Sequence, residues 1–81
     1  MTFPVSILAI DREVFVGEAE SLTLPGQAGE FQILADHASL IARLKQGNLV
    51  IEKQDHSKET FSIVGGTVEV NEKEVTVLAD F

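Results

Sequence analysis

A chain of 81 residues without cysteine has room for one small domain, residues 1–81, and must hold it together with neither disulfides nor a thiolate metal site. Its 13 acidic against 6 basic residues give a net charge of −7, the wrong sign for gripping nucleic-acid phosphates or an anionic lipid surface. No apolar run approaches the roughly 20 residues that span a bilayer, and no basic residue precedes the first apolar run as it would in a signal peptide.

The segment Phe3–Ile10 is dense in large apolar residues. As a strand it puts Phe3, Val5, Ile7 and Ala9 on one face and Ser6, Leu8 and Ile10 on the other, the pattern of an inner strand. Asp11-Arg12-Glu13 reads as a polar break, and Val14-Phe15-Val16 as a second strand stopped by Gly17. Glu20–Leu24 alternates polar and apolar, and Pro25-Gly26 is expected to end it as a turn. Glu30–Leu34 alternates again, with Phe31 and Ile33 on one face. Asp36–Ser39 forms a loop or a single helical turn, and Leu40–Leu44 reads as a strand because Gly47 follows too closely for a long helix. Asn48–Lys53 and Thr60–Val64 make a hairpin around the polar Gln54–Lys58 turn. Gly65-Gly66 signals a bulge or a close backbone approach. Thr67–Val70 and Val75–Ala79 pair across the charged Asn71–Glu74 turn. Eight or nine short strands at this spacing predict an all-β, antiparallel sandwich or flattened barrel.

Chemistry is hard to place on this pattern. Asp36-His37-Ala38-Ser39 and Asp55-His56-Ser57 hold the residue types of a hydrolase triad, but neighbours on an extended chain point to opposite faces and cannot converge. No nucleophile elbow accompanies them. Two histidines in separate segments match no zinc spacing, and the glycines fit no phosphate-cradling loop. The sequence therefore assigns no catalytic, cofactor-binding or metal-binding residue. His37 has two readings, a plain surface-loop histidine or a recognition residue that acts with Glu30.

The segments Gly29-Glu30-Phe31-Gln32-Ile33-Leu34, His37-Ala38-Ser39-Leu40-Ile41 and Leu44-Lys45-Gln46-Gly47 stand in a telling order. They are followed by Phe61–Val70 and Val75–Asp80 and preceded by Val14-Phe15-Val16-Gly17. Together they resemble the N-terminal β-sandwich domain of the ε subunit of F-type ATP synthase, called δ in mitochondria. The resemblance implies a sandwich of about ten strands and a place in the central stalk, bound to the γ subunit and resting on the c-ring. It implies coupling of ion flow to ATP synthesis without bond-making chemistry, no cofactor, and a peripheral position on the cytoplasmic face of the bacterial inner membrane. The α/β catalytic head is a further partner on this reading. It carries Glu30, Phe31 and His37 over as c-ring-facing and Leu40, Ile41 and Arg43 as γ-facing.

Two features depart from the family. Asp36 and Ser39 stand where members often have Gly before the histidine and Pro two residues after it. The chain ends at Phe81, where the usual member continues into two C-terminal helices, so it reads as a short form to which helix-mediated inhibition and ATP sensing are not carried over. The rival reading is a small β-barrel enzyme or ligand-binding module using His37 or His56. It predicts a pocket that brings one of these histidines to a carboxylate and a hydroxyl, whereas the stalk reading predicts an exposed apolar patch.

Overall fold

The alternation of apolar and polar residues is realised as nine strands and no helix in a computed structural model, which describes residues 1–81. They are β1 (Phe3–Ala9), β2 (Arg12–Ala19), β3 (Ser21–Gly26), β4 (Gly29–Leu34), β5 (Leu40–Leu44), β6 (Gly47–Glu52), β7 (Lys58–Ile63), β8 (Gly65–Val70) and β9 (Val75–Asp80). The hydrogen-bonded order is β2-β1-β9-β8-β5-β3-β6-β7, with β4 attached to β3. All pairs are antiparallel except β1 with β9, where Val5 lies opposite Val75.

Strand β3 is the hinge of the sheet. Its first half, Ser21–Thr23, pairs with β6, and its last residue, Gly26, pairs with Leu44 of β5. The sheet curls there into two layers, β2-β1-β9-β8-β5 and β4-β3-β6-β7. Between them lies one cluster of 16 buried apolar residues, drawn from every strand except β2's middle: Val5 and Ile7, Leu22 and Leu24, Leu49 and Ile51, Val68 and Val70, Val75 and Val77 among them. The spacing of two along each strand is what a half-buried strand requires. Removing a side chain such as Leu22 or Ile51, both wholly buried, from water is worth roughly 1.5–3 kcal/mol each.

Three local expectations are corrected. Pro25-Gly26 does not form the turn; both residues stay in β3, opposite Glu30 and Gly29, and the turn is Gln27-Ala28. Proline is tolerated because its nitrogen points away from β4, just beyond the last β3–β6 pair, so no ladder bond is lost. The carbonyl of Pro25 still accepts from the Lys45 amide at 2.8 Å. Gly17 does not stop β2, which runs on to Ala19 because Gly17 continues the ladder opposite Val5. The Asp11-Arg12-Glu13 break shrinks to Ile10-Asp11, and Arg12 already pairs with Ala9. A bulge then sets Ile7 opposite Phe15 and Leu8 opposite Glu13, which turns both Val14 and Phe15 against the core.

The expected close approach at Gly65-Gly66 is present. Gly66 has φ +154°, and a Cβ built there would lie 2.3 Å from the Leu78 carbonyl oxygen.

Candidate functional site

A two-layer sheet joined along one corner has two seams where the layers' edge strands face each other, and the two seams here are finished differently. At one, β2 meets β7. Phe15 and Phe61 close it with their rings edge to face, centroids 6.1 Å apart. Lys53 roofs this pair, its Nζ 5.7 Å from the Phe15 ring centre while it donates to Glu59 Oε1 at 2.6 Å.

At the other seam, β4 and β5 part company beyond the Gly26–Leu44 pair. Strand β5 is paired with β8 along one edge for its whole length, but on its other edge only Leu44 has a partner strand. The amide of Gln27 reaches the Arg43 carbonyl at 3.0 Å, and the contact ends there. What is left is an open groove of about 570 Å³. One wall is the β3–β4 turn, Gly26–Gly29, with Phe31 and Gln32; the other is Leu40–Arg43, and His37 also lines it. Phe31, Leu40 and Ala42 are inward-facing side chains that pack on the core yet stay half-exposed, because no residue of the opposite layer covers them. Ile41 points outward and is 72% exposed.

Five of the residues singled out from the sequence meet at this groove. Phe31, His37, Leu40, Ile41 and Arg43 all line it. Glu30 does not; it is exposed beside the groove, opposite Pro25 in the β3–β4 hairpin. Sequence reasoning gave no partner-facing role to Gly26, Gln27, Ala28, Gly29, Gln32 or Ala42, which also line the groove. The signal for Ala42 was present: a methyl group stands between inward-facing Leu40 and Leu44, where a closed core would hold something larger.

Electrostatically the groove is unlike the rest of the chain. None of its lining residues is acidic, and Arg43 makes no ion pair, whereas the molecule as a whole carries −7. The loop that brings in His37 turns at Asp36, which adopts φ +67°. The Nε2 atom of His37 is buried without a hydrogen-bond partner in the protein. Beside it lies a hollow of about 20 Å³ bordered by Asp36 and the Asn71–Glu74 turn, roughly the size of one water molecule.

The pocket demanded by the hydrolytic reading does not form. The groove offers His37 neither a carboxylate nor a hydroxyl, and the small hollow beside it is bordered by Asp36, Glu72 and Glu74 but by no hydroxyl. His56 sits in the β6–β7 turn at φ +69°, with an 80% exposed side chain whose Nδ1 lies 3.8 Å from Glu52 Oε2. That is a solvated surface contact, with no cleft around it.

Comparison with known proteins agrees with this geometry. Residues 2–81 match the family described as ATP synthase, delta/epsilon chain, β-sandwich domain. The chain is 49% identical over 76 residues to the ATP synthase epsilon chain of Sulfurimonas denitrificans, covering 94% of itself and 58% of that protein. It is 41% identical over 80 residues to that of Protochlamydia amoebophila, covering 99% of itself and 54% of the relative. The chain thus spans little more than half the length of these relatives. Among solved structures, a chain of the Euglena gracilis mitochondrial ATP synthase (OSCP/F1/c-ring) superposes with a TM-score of 0.91 at 22% identity, over 96% of this chain and 50% of that one. A chain from the central stalk and c-ring of the Tetrahymena thermophila enzyme gives 0.78 at 14% identity, over 100% and 65%. At such identities these two superpositions establish the fold.

Proposed function

Because the chain belongs to the family of ATP synthase delta/epsilon-chain β-sandwich domains, we propose that it is a non-catalytic part of the central stalk of a rotary F-type ATP synthase, where it binds the γ subunit and the c-ring and couples ion translocation to ATP synthesis. The observation that carries the proposal is the open β4–β5 groove, where an apolar surface continuous with the core is left uncovered in a chain of this family. Apolar surface that a domain does not cover itself is the usual mark of a protein partner.

On this reading Leu40, Ile41 and Arg43 meet γ, while Glu30, Phe31 and His37 face the loops of the c-ring. The groove supports treating the two sets as neighbours, since both contribute to it and Glu30 stands at its margin. A rotor seated between γ and the ring needs such adjacency, because torque received on one contact must leave through the other. The sheet between them suits the task, being cross-linked by 39 backbone hydrogen bonds within its strands around a packed core that deforms little. No helix is long and apolar enough to cross a membrane. The chain on this reading is held peripherally, through its partners, at the cytoplasmic face of a bacterial inner membrane.

The test is a pull-down of the 81-residue chain with purified γ subunit from the same source, followed by reconstitution into vesicles. A one-to-one complex and ion-driven ATP synthesis that depends on the chain are expected. No complex between two folded proteins would overturn the assignment. Replacing Glu30 and His37 together with alanine is expected to weaken coupling while the fold is kept; unchanged coupling would remove these two residues from the c-ring contact.

A further inference from the structure

The two seams of the sandwich pose one physical problem and answer it differently. At β2–β7 two phenylalanines meet across the layers and a lysine–glutamate pair covers them. At β4–β5 the inward-facing positions are Phe31, Leu40 and Ala42, and the last of these contributes only a methyl group. The volume left open, about 570 Å³, is in the range of a pocket for a sizeable ligand group or a few side chains. Backbone on the groove edge of β5 is likewise unpaired from Leu40 to Ala42. A carboxylate-free lining with one unpaired guanidinium adds a charge preference.

We infer that the β4–β5 seam receives a bulky apolar side chain from a protein partner, packed on Phe31, Leu40 and Ala42, and that an acidic residue of the same partner segment pairs with Arg43. The inference rests on the function proposed above, which makes the partner the γ subunit; what it adds is the chemistry of the segment that docks, and it moves Phe31, which lines the same groove as Leu40 and Ala42, from the c-ring contact to the γ contact. The inserted side chain takes the place that Phe15 and Phe61 fill for each other at the opposite seam. A buried anchor of this kind carries most of the energy of an interface, while surrounding contacts mainly exclude water. The acidic residue supplies orientation. On a chain of net charge −7, a carboxylate on the partner is repelled over most of the surface, and Arg43 offers it an unpaired cation beside the open apolar seam. Arginine suits the role because its planar fork can hold a carboxylate through two parallel hydrogen bonds.

The experiment measures binding of purified γ subunit to the unaltered chain and to three variants. Ala42→Phe fills the seam from within and is expected to weaken binding about tenfold or more while raising or preserving the unfolding midpoint. Arg43→Glu is expected to weaken binding about tenfold and to flatten its dependence on salt. Lys58→Glu makes the same charge change on β7, away from the groove, and is expected to bind as the unaltered chain does. Hydrogen exchange gives a readout free of substitutions: bound γ should slow exchange over Phe31–Leu34 and Leu40–Arg43. If the unaltered chain binds γ but Ala42→Phe and Arg43→Glu bind equally well and exchange in these segments is unchanged, the seam inference is overturned and the stalk assignment survives. Equal loss in Lys58→Glu would trace the effect to overall charge and overturn the Arg43 pairing. No binding by the unaltered chain overturns both.

Discussion

Gly66 and Gly29 form a natural experiment on why a sheet needs glycine. Both have positive φ, +154° and +137°. At Gly29 a built Cβ meets nothing within 4 Å, so alanine there bears only the backbone strain of a conformation that L residues avoid, roughly 1–3 kcal/mol. At Gly66 the same strain is joined by a collision. The Cβ falls 2.3 Å from the Leu78 carbonyl oxygen and 3.0 Å from Ala79 Cα, and these are backbone atoms of β9 held in the ladder opposite β8. Neither can swing aside as a side-chain tip would. Overpacking of this kind adds about 1–3 kcal/mol and sometimes more. Gly66→Ala should therefore cost about 2–6 kcal/mol and exceed Gly29→Ala by about 1–3 kcal/mol. For a domain of this size the whole stability is on the order of 4–12 kcal/mol, so the Gly66 variant should lose a large share of it. Urea unfolding of both variants, followed by circular dichroism with a shared m-value, reads the difference directly. Equal losses in the two variants would refute the steric argument and leave φ as the sole requirement.

Three further outcomes follow from particular contacts. A double-mutant cycle replacing Phe15 and Phe61 by alanine should show a coupling of about 1 kcal/mol, as expected for an edge-to-face pair, and additive losses would show that the seam is held by burial alone. Asn71→Ala should destabilise by about 1 kcal/mol, because the Asn71 Oδ1 accepts from the amides of both Lys73 and Glu74 in the β8–β9 turn; an unchanged urea midpoint would argue otherwise. Hydrogen bonds from the Ser57 hydroxyl at 2.6 Å and the Ser57 amide at 3.0 Å hold the Asp55 carboxyl below the ordinary aspartate range. A lowered folded-state value means that the stabilising contribution is present above the unfolded pKa and fades as pH falls through the folded one. NMR titration should find Asp55 ionised to lower pH than a model aspartate, and Ser57→Ala should move its titration upward; an unmoved curve would remove Ser57 as the cause.

Much of the fold was legible because a spacing of two is hard to mistake when both partners of a hairpin show it. Leu49 opposite Phe61, and Val68 and Val70 opposite Val77 and Val75, declare their faces without help. The Pro25-Gly26 dipeptide misled because its local meaning is a turn, while its actual setting, a strand leaving one neighbour for another, is decided by β5 and β6 far along the chain. The parallel β1–β9 pair was invisible for the same reason, since no local pattern announces which distant strand will lie alongside. Phe31, His37, Leu40, Ile41 and Arg43, singled out together with Glu30 from their resemblance to a family, line one groove. That they share an unfilled seam, and that Ala42 is what leaves it open, depends on how two layers meet.

That β1–β9 pair also governs the order in which the molecule can be made. Strand β9 lies between β1 and β8, so the interior of the larger layer joins the two ends of the domain, β1 and β9. A nascent chain that has emerged as far as β8 has Val5 and Ile7 ready but no Val75, Val77 or Ala79 to meet them. Closing a loop of nearly the whole chain must be accomplished before those contacts give anything back, which places folding among the slower, milliseconds-to-seconds β topologies. The hairpin β6–β7 with β3 and β4 needs no such wait, and gives a growing chain a structured half on which the final strand can close the other.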